Sequence, residues 1–490
     1  MADIEQNLLR PDLWELLLPA VKAARQAGRE YEGRGRYVPR QSVTKYSEND
    51  AGWPQTTRDP LGRGTKDGPV NWPEVFGLDQ GLLTHVLVSD VPELARAVDE
   101  IGRRAINDDE LMRGLSKLAP MMEPAERKSQ VEFETVRRLI GTILNRADAL
   151  DAQTDDELRS IYQLIERVRF AKELSGDVIV PLVAMSFDTI EPIHIDGNAW
   201  IERLTQNDHR ARAMPWLRQD NVSPYVAAAA THAVVLRDVR FTNRVHTLRA
   251  GHDLPPELSV DIAQVVAEAV HIVTEKTTGY AQVLVRPDGW AESWLHDLPP
   301  LWTAWSGRAY PEELNDRTWD KQMIPVPAND AEEIARITKA LKTAPKNVQL
   351  AARRCRRTTF RDDAEDVVLD VAIGIEALVG KEPDALTHRM AQRAAIALAD
   401  AIPPENTYSL LKQFYGIRSK IAHGETPKRW TVKLNDQEWS ATGTGLFLLR
   451  MLLRSRLLAD KPWDATSLDE RMLEKFQRPE GYPHLESAGE

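Results

Sequence analysis

The chain has 490 residues, of which 42% are hydrophobic and 28% are charged, and its formal net charge is -11. This balance is typical of a globular protein with enough apolar side chain for about two or three domains. An acidic chain lacks the basic surface of a general nucleic-acid-binding protein, so any such contact must come from a local patch. The single cysteine, Cys355, excludes an internal disulfide and a zinc site built from several cysteines.

The sequence contains no run of the ~20 apolar residues that a membrane-spanning helix needs. Residues 1–11 are polar and acidic, and they lack the basic start and apolar run of a signal peptide. We therefore expect a cytoplasmic protein with no membrane association.

Residues 1–175 predict an N-terminal helical region. Apolar side chains recur at helical spacing over residues 5–30 and again over 90–173. Between these stretches, residues 33–77 are rich in Gly, Pro, Asn and Asp. This composition predicts a long irregular segment.

Residues 176–328 predict an α+β domain. Short runs rich in Val, Ile and Leu predict strands at 178–180, 182–185, 190–195, 233–236 and 282–285. An apolar helical pattern over 259–276 lies between the last two of these strands.

Residues 329–462 predict an all-α helical bundle. Caps, breaks and apolar spacing predict helices at 330–344, from 347, and at 363–380, 384–401, 406–423 and 445–459. Residues 463–490 are polar with scattered aromatic side chains, and we expect them to form a loosely held tail. The predicted fold class is thus mostly α, with a central α+β region and a C-terminal all-α bundle.

Residues 414–425, FYGIRSKIAHGE, carry the side chains that metal-free cleavage of RNA needs. RNA supplies its own nucleophile, the 2'-hydroxyl. His423 is suited to proton transfer near neutral pH. Arg418 can stabilise charge on the phosphate through its fixed fork of donors, and Ser419 can orient either group.

Helix geometry limits how these side chains can meet. Ser419 and His423 are four residues apart and share a helix face. Arg418 and His423 are five apart, which separates them by about 140° on a regular helix. They converge only if the helix ends near His423, which Gly424 favours, or if two chains each contribute a motif. The alternative stays open that His423 and Gly424 form an ordinary helix end with basic residues in its last turn.

Residues 353–460 resemble the Apea-like branch of the HEPN superfamily (higher eukaryote and prokaryote nucleotide-binding domains). The resemblance rests on three segments in order, namely RRCRRTTFRDDAEDVVLDVAIGIEALVG, THRMAQRAAIALA and the signature turn YGIRSKIAHGE. It covers less than a quarter of the chain.

The resemblance implies a metal-independent endoribonuclease with an Arg-x4-6-His motif and an active site at a dimer interface. It implies that Arg418 and His423 are the catalytic pair, that Ser419 is the polar residue beside the arginine, and that Glu376 is an acidic site residue. Bacterial members serve as toxins or phage-defence effectors, and some cut tRNA. We expect RNA as substrate, a second copy of the chain as partner and a phage or antitoxin trigger, with no cofactor and no metal.

Three alternatives remain open at this stage. Glu376 could pair with Arg389 or Arg393 on the next helix rather than act in catalysis. The domain could be a non-catalytic interaction or nucleotide-binding module used for dimerisation or regulation.

The third alternative concerns a dense basic run that precedes the helix of Glu376. This run predicts contacts with RNA phosphates, and Lys420 of the motif would add one more. The residues of the predicted contact are Arg353, Arg354, Arg356, Arg357 and Lys420. Instead, its arginines could pair within the chain with the nearby acids Asp362, Asp363 and Glu365.

Overall fold

The computed structural model describes residues 8–41, 45–57, 64, 68–79, 85–116, 118–212, 222–243, 258–290, 302–381 and 386–474. The protein is mostly helical, with a central α+β region and a helical C-terminal region, which confirms the predicted fold class. Within these ranges, no helix is both long and apolar enough to span a membrane.

In the N-terminal region, the described residues include six α-helices that pack around one apolar core. They are α1 Pro11–Gly33, α2 Pro92–Ile106, α3 Asp109–Leu115, α4 Pro124–Glu134, α5 Gly141–Ala149 and α6 Asp155–Phe170, with a π-helical stretch between α4 and α5. Local sequence explains where α6 begins, because Thr154 and Glu157 form a capping box.

The segment predicted to be irregular contains short strands. Strands β1 Lys45–Glu48 and β2 Pro54–Thr57 form an antiparallel hairpin, and β3 Phe76–Gly77 pairs in parallel with β4 Val86–Leu87.

The central region is built on one antiparallel sheet of six strands in the order β10-β9-β5-β8-β7-β6. The strands are β5 Glu173–Pro181, β6 Ile193–Asp196, β7 Ala199–Arg203, β8 His232–Thr242, β9 Tyr280–Pro287 and β10 Trp302–Ala309. Helices α7 Gln206–Arg212, α8 Pro224–Ala228 and α9 Asp261–Thr274 complete it. Side chains alternate between the faces, so Val178 and Val180 enter the main core while Ile179 belongs to a separate cluster.

Two strand predictions for this region need correction. Residues 182–185 do not form a strand, because the chain turns after Pro181 and Ala184 adopts a φ of 53°. The run predicted at 190–195 becomes regular only at Ile193. Strands β7 and β10 were not predicted, since Glu202 and Arg203 in β7 and Ser306 and Gly307 in β10 interrupt the apolar pattern of the sequence.

The described residues of the C-terminal region form seven α-helices and one hairpin. The helices are α10 Ala328–Thr343, α11 Lys346–Arg357, α12 Ala364–Val379, α13 Leu386–Ala397, α14 Pro404–Ala422, α15 Ala441–Leu458 and α16 Ala465–Glu474. Strands β11 Thr431–Leu434 and β12 Gln437–Ser440 form the hairpin after α14. The Asp363 side chain caps α12, and Pro404 opens α14 where its missing N–H costs nothing.

One apolar core joins the central sheet to the C-terminal helices. Its buried side chains come from β5, β8 and β9 and from helices α9 to α16. Arg450 of α15, which is 6% exposed, donates to the carbonyl oxygens of Ile272 (3.0 Å) and Val273 (3.3 Å) at the end of α9, and it pairs with Glu275. The predicted boundary between residues 328 and 329 therefore falls inside a continuously packed unit.

The expectation of a loosely held tail is wrong as far as Glu474. Trp463 and Leu468 are buried in the main core, and Asp469 of α16 pairs with Arg393 of α13 at 2.7 Å. These contacts explain why a short, mostly polar stretch is helical. Residues 475–490 lie outside the described part of the chain.

Candidate functional site

The motif lies at the C-terminal end of α14, which finishes at Ala422 with His423 as its capping residue. Gly424 adopts a φ of 75°, and its N–H donates to the Ile421 carbonyl (2.9 Å). The N–H of Glu425 donates to the Lys420 carbonyl (2.9 Å). This pair of bonds is a Schellman motif, and it confirms that the helix ends where Gly424 predicts.

The last turn of α14 separates the motif side chains by exposure. Ser419, Lys420 and His423 are exposed, whereas Arg418 is half-buried and turned toward α12. No hydrogen bond links Arg418 to His423 among the described residues. The helix end thus presents the His423 imidazole to solvent, whereas Arg418, five residues earlier, contacts the bundle.

Arg418 meets the acidic residue that the family resemblance singles out. Its Nη2 lies 3.2 Å from Oε1 of Glu376 on α12, although the two residues are far apart in sequence. Arg393, one of the partners considered for Glu376, pairs with Asp469 and donates to the Val379 carbonyl (2.9 Å) instead. The sequence did not indicate Arg418 as the partner, because the contact depends on how α14 crosses α12.

Tyr415 lies beneath this ion pair. It is buried, and its hydroxyl is 3.4 Å from the Ala372 carbonyl oxygen. Burial, together with the neighbouring Glu376 carboxylate, raises the pKa of Tyr415 well above its usual range. The phenol therefore stays neutral beside Arg418 and Glu376.

Two arginines of the basic region, Arg354 on α11 and Arg361 after it, contact one buried acid, Asp370, whose side chain is 3% exposed. Asp370 accepts from Arg354 and from Nε of Arg361 (2.9 Å), and Nε of Arg357 lies 3.8 Å away. The hydrogen bond to Asp370 raises the pKa of Arg361. Pairing within the chain thus occurs, but with Asp370 rather than with the acids suggested by the sequence.

The remaining basic residues of the predicted RNA contact divide by exposure. Arg356 is half-buried, lies over the Phe360 ring and has its guanidinium 3.5 Å from the Ala309 carbonyl oxygen. Burial lowers its pKa. Arg353, Arg357 and Lys420 are exposed. Only these three of the predicted phosphate contacts are therefore well placed to meet an RNA strand.

Asp370 is the residue of this cluster that sequence reasoning missed. The sequence pattern indicates a buried carboxylate here, because Asp370 is the one acid inside the apolar run Val367–Ile375 of the helix that follows the arginines. A lone carboxylate on a core-facing stripe requires a cationic partner.

Among the described residues, no group of three or more His, Cys, Asp or Glu side chains is arranged to bind a metal ion. The fold and the site together define a mostly helical protein with an arginine and a histidine at the capped end of a bundle helix. No protein family, no curated protein and no solved structure matches the chain.

Proposed function

We propose that this protein is a metal-independent endoribonuclease of the HEPN type, with its active site at the end of α14. Arg418 and His423 are the catalytic pair, with Ser419 and Glu376 beside them. The observation that carries the proposal is the Arg418–Glu376 contact, since it holds the motif arginine against α12 in the same helix end that exposes His423 to solvent. The biological role is that of a toxin or anti-phage effector that cuts RNA, with tRNA as one candidate.

The proposed reaction needs only side chains of this kind and the RNA itself. The 2'-oxygen attacks the adjacent phosphorus while a histidine removes its proton, and the bond from phosphorus to the 5'-oxygen breaks. The leaving oxygen takes up a proton, so the products are a 2',3'-cyclic phosphate and a 5'-hydroxyl. Arg418 stabilises the extra negative charge on the phosphate oxygens in the transition state. Glu376 orients that guanidinium.

A homodimer completes the site in this proposal. Leu369, Ile373 and Glu376 recur at helical spacing on α12 and are half-buried, so they form one partly apolar face. A two-fold contact through this face and α14 would bring two copies of the Arg418 and His423 pair toward one phosphate path. Such an interface is expected to bury at least ~1,000 Å² in total.

The test is cleavage of end-labelled RNA in EDTA by the purified chain and by Arg418→Ala and His423→Ala. His388→Ala on α13, an exposed histidine of the same bundle, is the matched control. We expect cleavage by the wild type and the control, cyclic-phosphate ends, and loss of activity in both motif variants. Wild-type rates in Arg418→Ala, or products with a 3'-hydroxyl, would contradict the proposal.

The dimer is tested separately by light scattering coupled to size exclusion. Leu369→Glu and Ile373→Glu place charges on the half-buried face of α12 and should yield monomers that have lost activity. A monomeric wild type with full activity at nanomolar concentration would exclude the shared site.

A second candidate function is a non-catalytic module for dimerisation or nucleotide binding. It is favoured by the pairing of Arg354 with Asp370, since this arginine of the predicted RNA contact already has a partner within the chain. This function predicts a dimer that forms normally and no difference in RNA integrity between wild type and His423→Ala.

A further inference from the structure

The hairpin that follows the motif exposes a large aromatic side chain. Trp439 on β12 is 53% exposed, although tryptophan is usually well buried in a folded protein. Exposed aromatic rings beside basic side chains are the means by which proteins bind single-stranded nucleic acid, because bases stack on the ring while cations contact the backbone.

The hairpin is a rigid support for this ring. Its loop has two residues, Asn435 and Asp436, whose φ values of 49° and 63° form the tight turn that suits the twist of paired strands. Trp439 lies directly opposite Val432, which is fully buried. Because directly opposite residues of an antiparallel pair share a face, the Trp439 ring lies on the side of the hairpin that Val432 anchors in the core, and it keeps 53% of its surface exposed.

The hairpin is also attached directly to the motif helix. The side-chain amide of Gln413 on α14 accepts from the Lys433 N–H (2.9 Å) and donates to the Lys433 carbonyl (2.9 Å). At ~1.5 Å per residue, Gln413 lies about 15 Å along the helix axis from His423. The hairpin and the helix end therefore keep a fixed spacing.

The charge around the hairpin differs from that of the whole chain. Residues 412–438 contain six Lys and Arg but three Asp and Glu, in a chain with a net charge of -11. Lys433 is paired with Glu438 (2.9 Å), whereas Lys428 and Arg429, in the connection from the motif to the hairpin, are exposed. This is a local basic patch of the kind that an acidic protein needs for RNA binding.

We infer that the hairpin is a substrate-binding surface for single-stranded RNA, which rests on the proposed function. Trp439 stacks on one unpaired base, and Lys428 and Arg429 contact the phosphates that lead toward the end of α14. Stacking requires a base whose face is free, so the surface favours loops and single strands over duplexes. Because every base has a stacking face, the preference for sequence is weak.

The experiment measures binding of a fluorescent 2'-O-methyl RNA 12-mer to the full chain by anisotropy. The methyl group blocks the nucleophile, so binding is measured without cleavage. We expect Trp439→Ala to raise Kd roughly 5- to 100-fold and Trp439→Phe to retain most of the affinity. Replacing Lys428 and Arg429 by Ala should reduce the slope of log K against log salt by about 1.4, since each phosphate contact to a single strand contributes about 0.7. Tyr37→Ala, an exposed aromatic of the N-terminal region, is the control and should not change Kd.

Wild-type affinity in Trp439→Ala would overturn the inference. So would a loss of affinity accompanied by a change from dimer to monomer, because Trp439 would then serve self-association. Equal binding of duplex and single strand would also contradict it. If Trp439 governs binding but unmodified RNA is never cut, the proposed endoribonuclease activity fails while the binding surface remains.

Discussion

Replacing Asp370 by Asn should destabilise the C-terminal helices. The carboxylate is nearly fully buried and accepts charged hydrogen bonds from Arg354 and Arg361. Hydrogen bonds to charged groups contribute about 1.5–3 kcal/mol each. The side chains of the two arginines are about one quarter exposed, so hydrogen bonds to water replace part of what they lose when the carboxylate is removed. We therefore expect a fall of about 3 kcal/mol in the free energy of unfolding.

Thermal and denaturant unfolding of the purified chain measure this change, and Asp362→Asn is the matched control. Asp362 is exposed, so its replacement should change stability by less than ~0.5 kcal/mol. If Asp370→Asn behaves like the control, the contacts of Asp370 with Arg354 and Arg361 do not stabilise the C-terminal helices.

Three further predictions follow from other parts of the molecule. Gly424→Ala should lower the free energy of unfolding by only about 1 kcal/mol, through backbone strain at the positive φ of this residue. Gly445→Ala should lower it by about 1–3 kcal/mol, because the added Cβ overlaps the Phe414 ring. Circular dichroism melts measure both changes, and equal effects would contradict this packing. Burial lowers the pKa of His271 to about 4, so the unfolded chain binds more protons below pH ~6.5 and stability should fall by up to about 3 kcal/mol toward pH 4 in denaturant titrations. Burial raises the pKa of Glu268 to about 7, so the stability that its neutral carboxyl group contributes is lost as pH rises from ~4.5 to 7. Glu268→Gln should therefore stabilise the protein at pH 8 but not at pH 5.

Local signals account for the elements that the sequence predicts well. Pro404 and Gly424 delimit α14, and Asp363 caps α12, so these boundaries depend on residues within one turn of the helix end. The position of the motif at a helix terminus is predictable for the same reason. Fold class also follows, because apolar spacing distinguishes the helical regions from the Val- and Ile-rich centre.

Contacts between distant segments account for what the sequence does not predict. Helix α16 exists because Trp463 and Leu468 enter a core built by other helices. The pairing of Glu376 with Arg418 depends on how α12 and α14 cross. The pairing of Asp370 with Arg354 depends on how α11 packs against α12. Spacing along one helix contains no information about these crossings.

The continuous core between the sheet and the C-terminal helices has a consequence for how such a protein can evolve. A C-terminal unit with a closed core of its own can be exchanged between genes as a cassette. Here Arg450 caps α9, and the buried face of α10 to α15 is completed by strands of the preceding region. Gene fusion at residue 329 would leave that face uncovered. The two parts are therefore expected to be inherited together, with correlated substitutions at the residues where they pack.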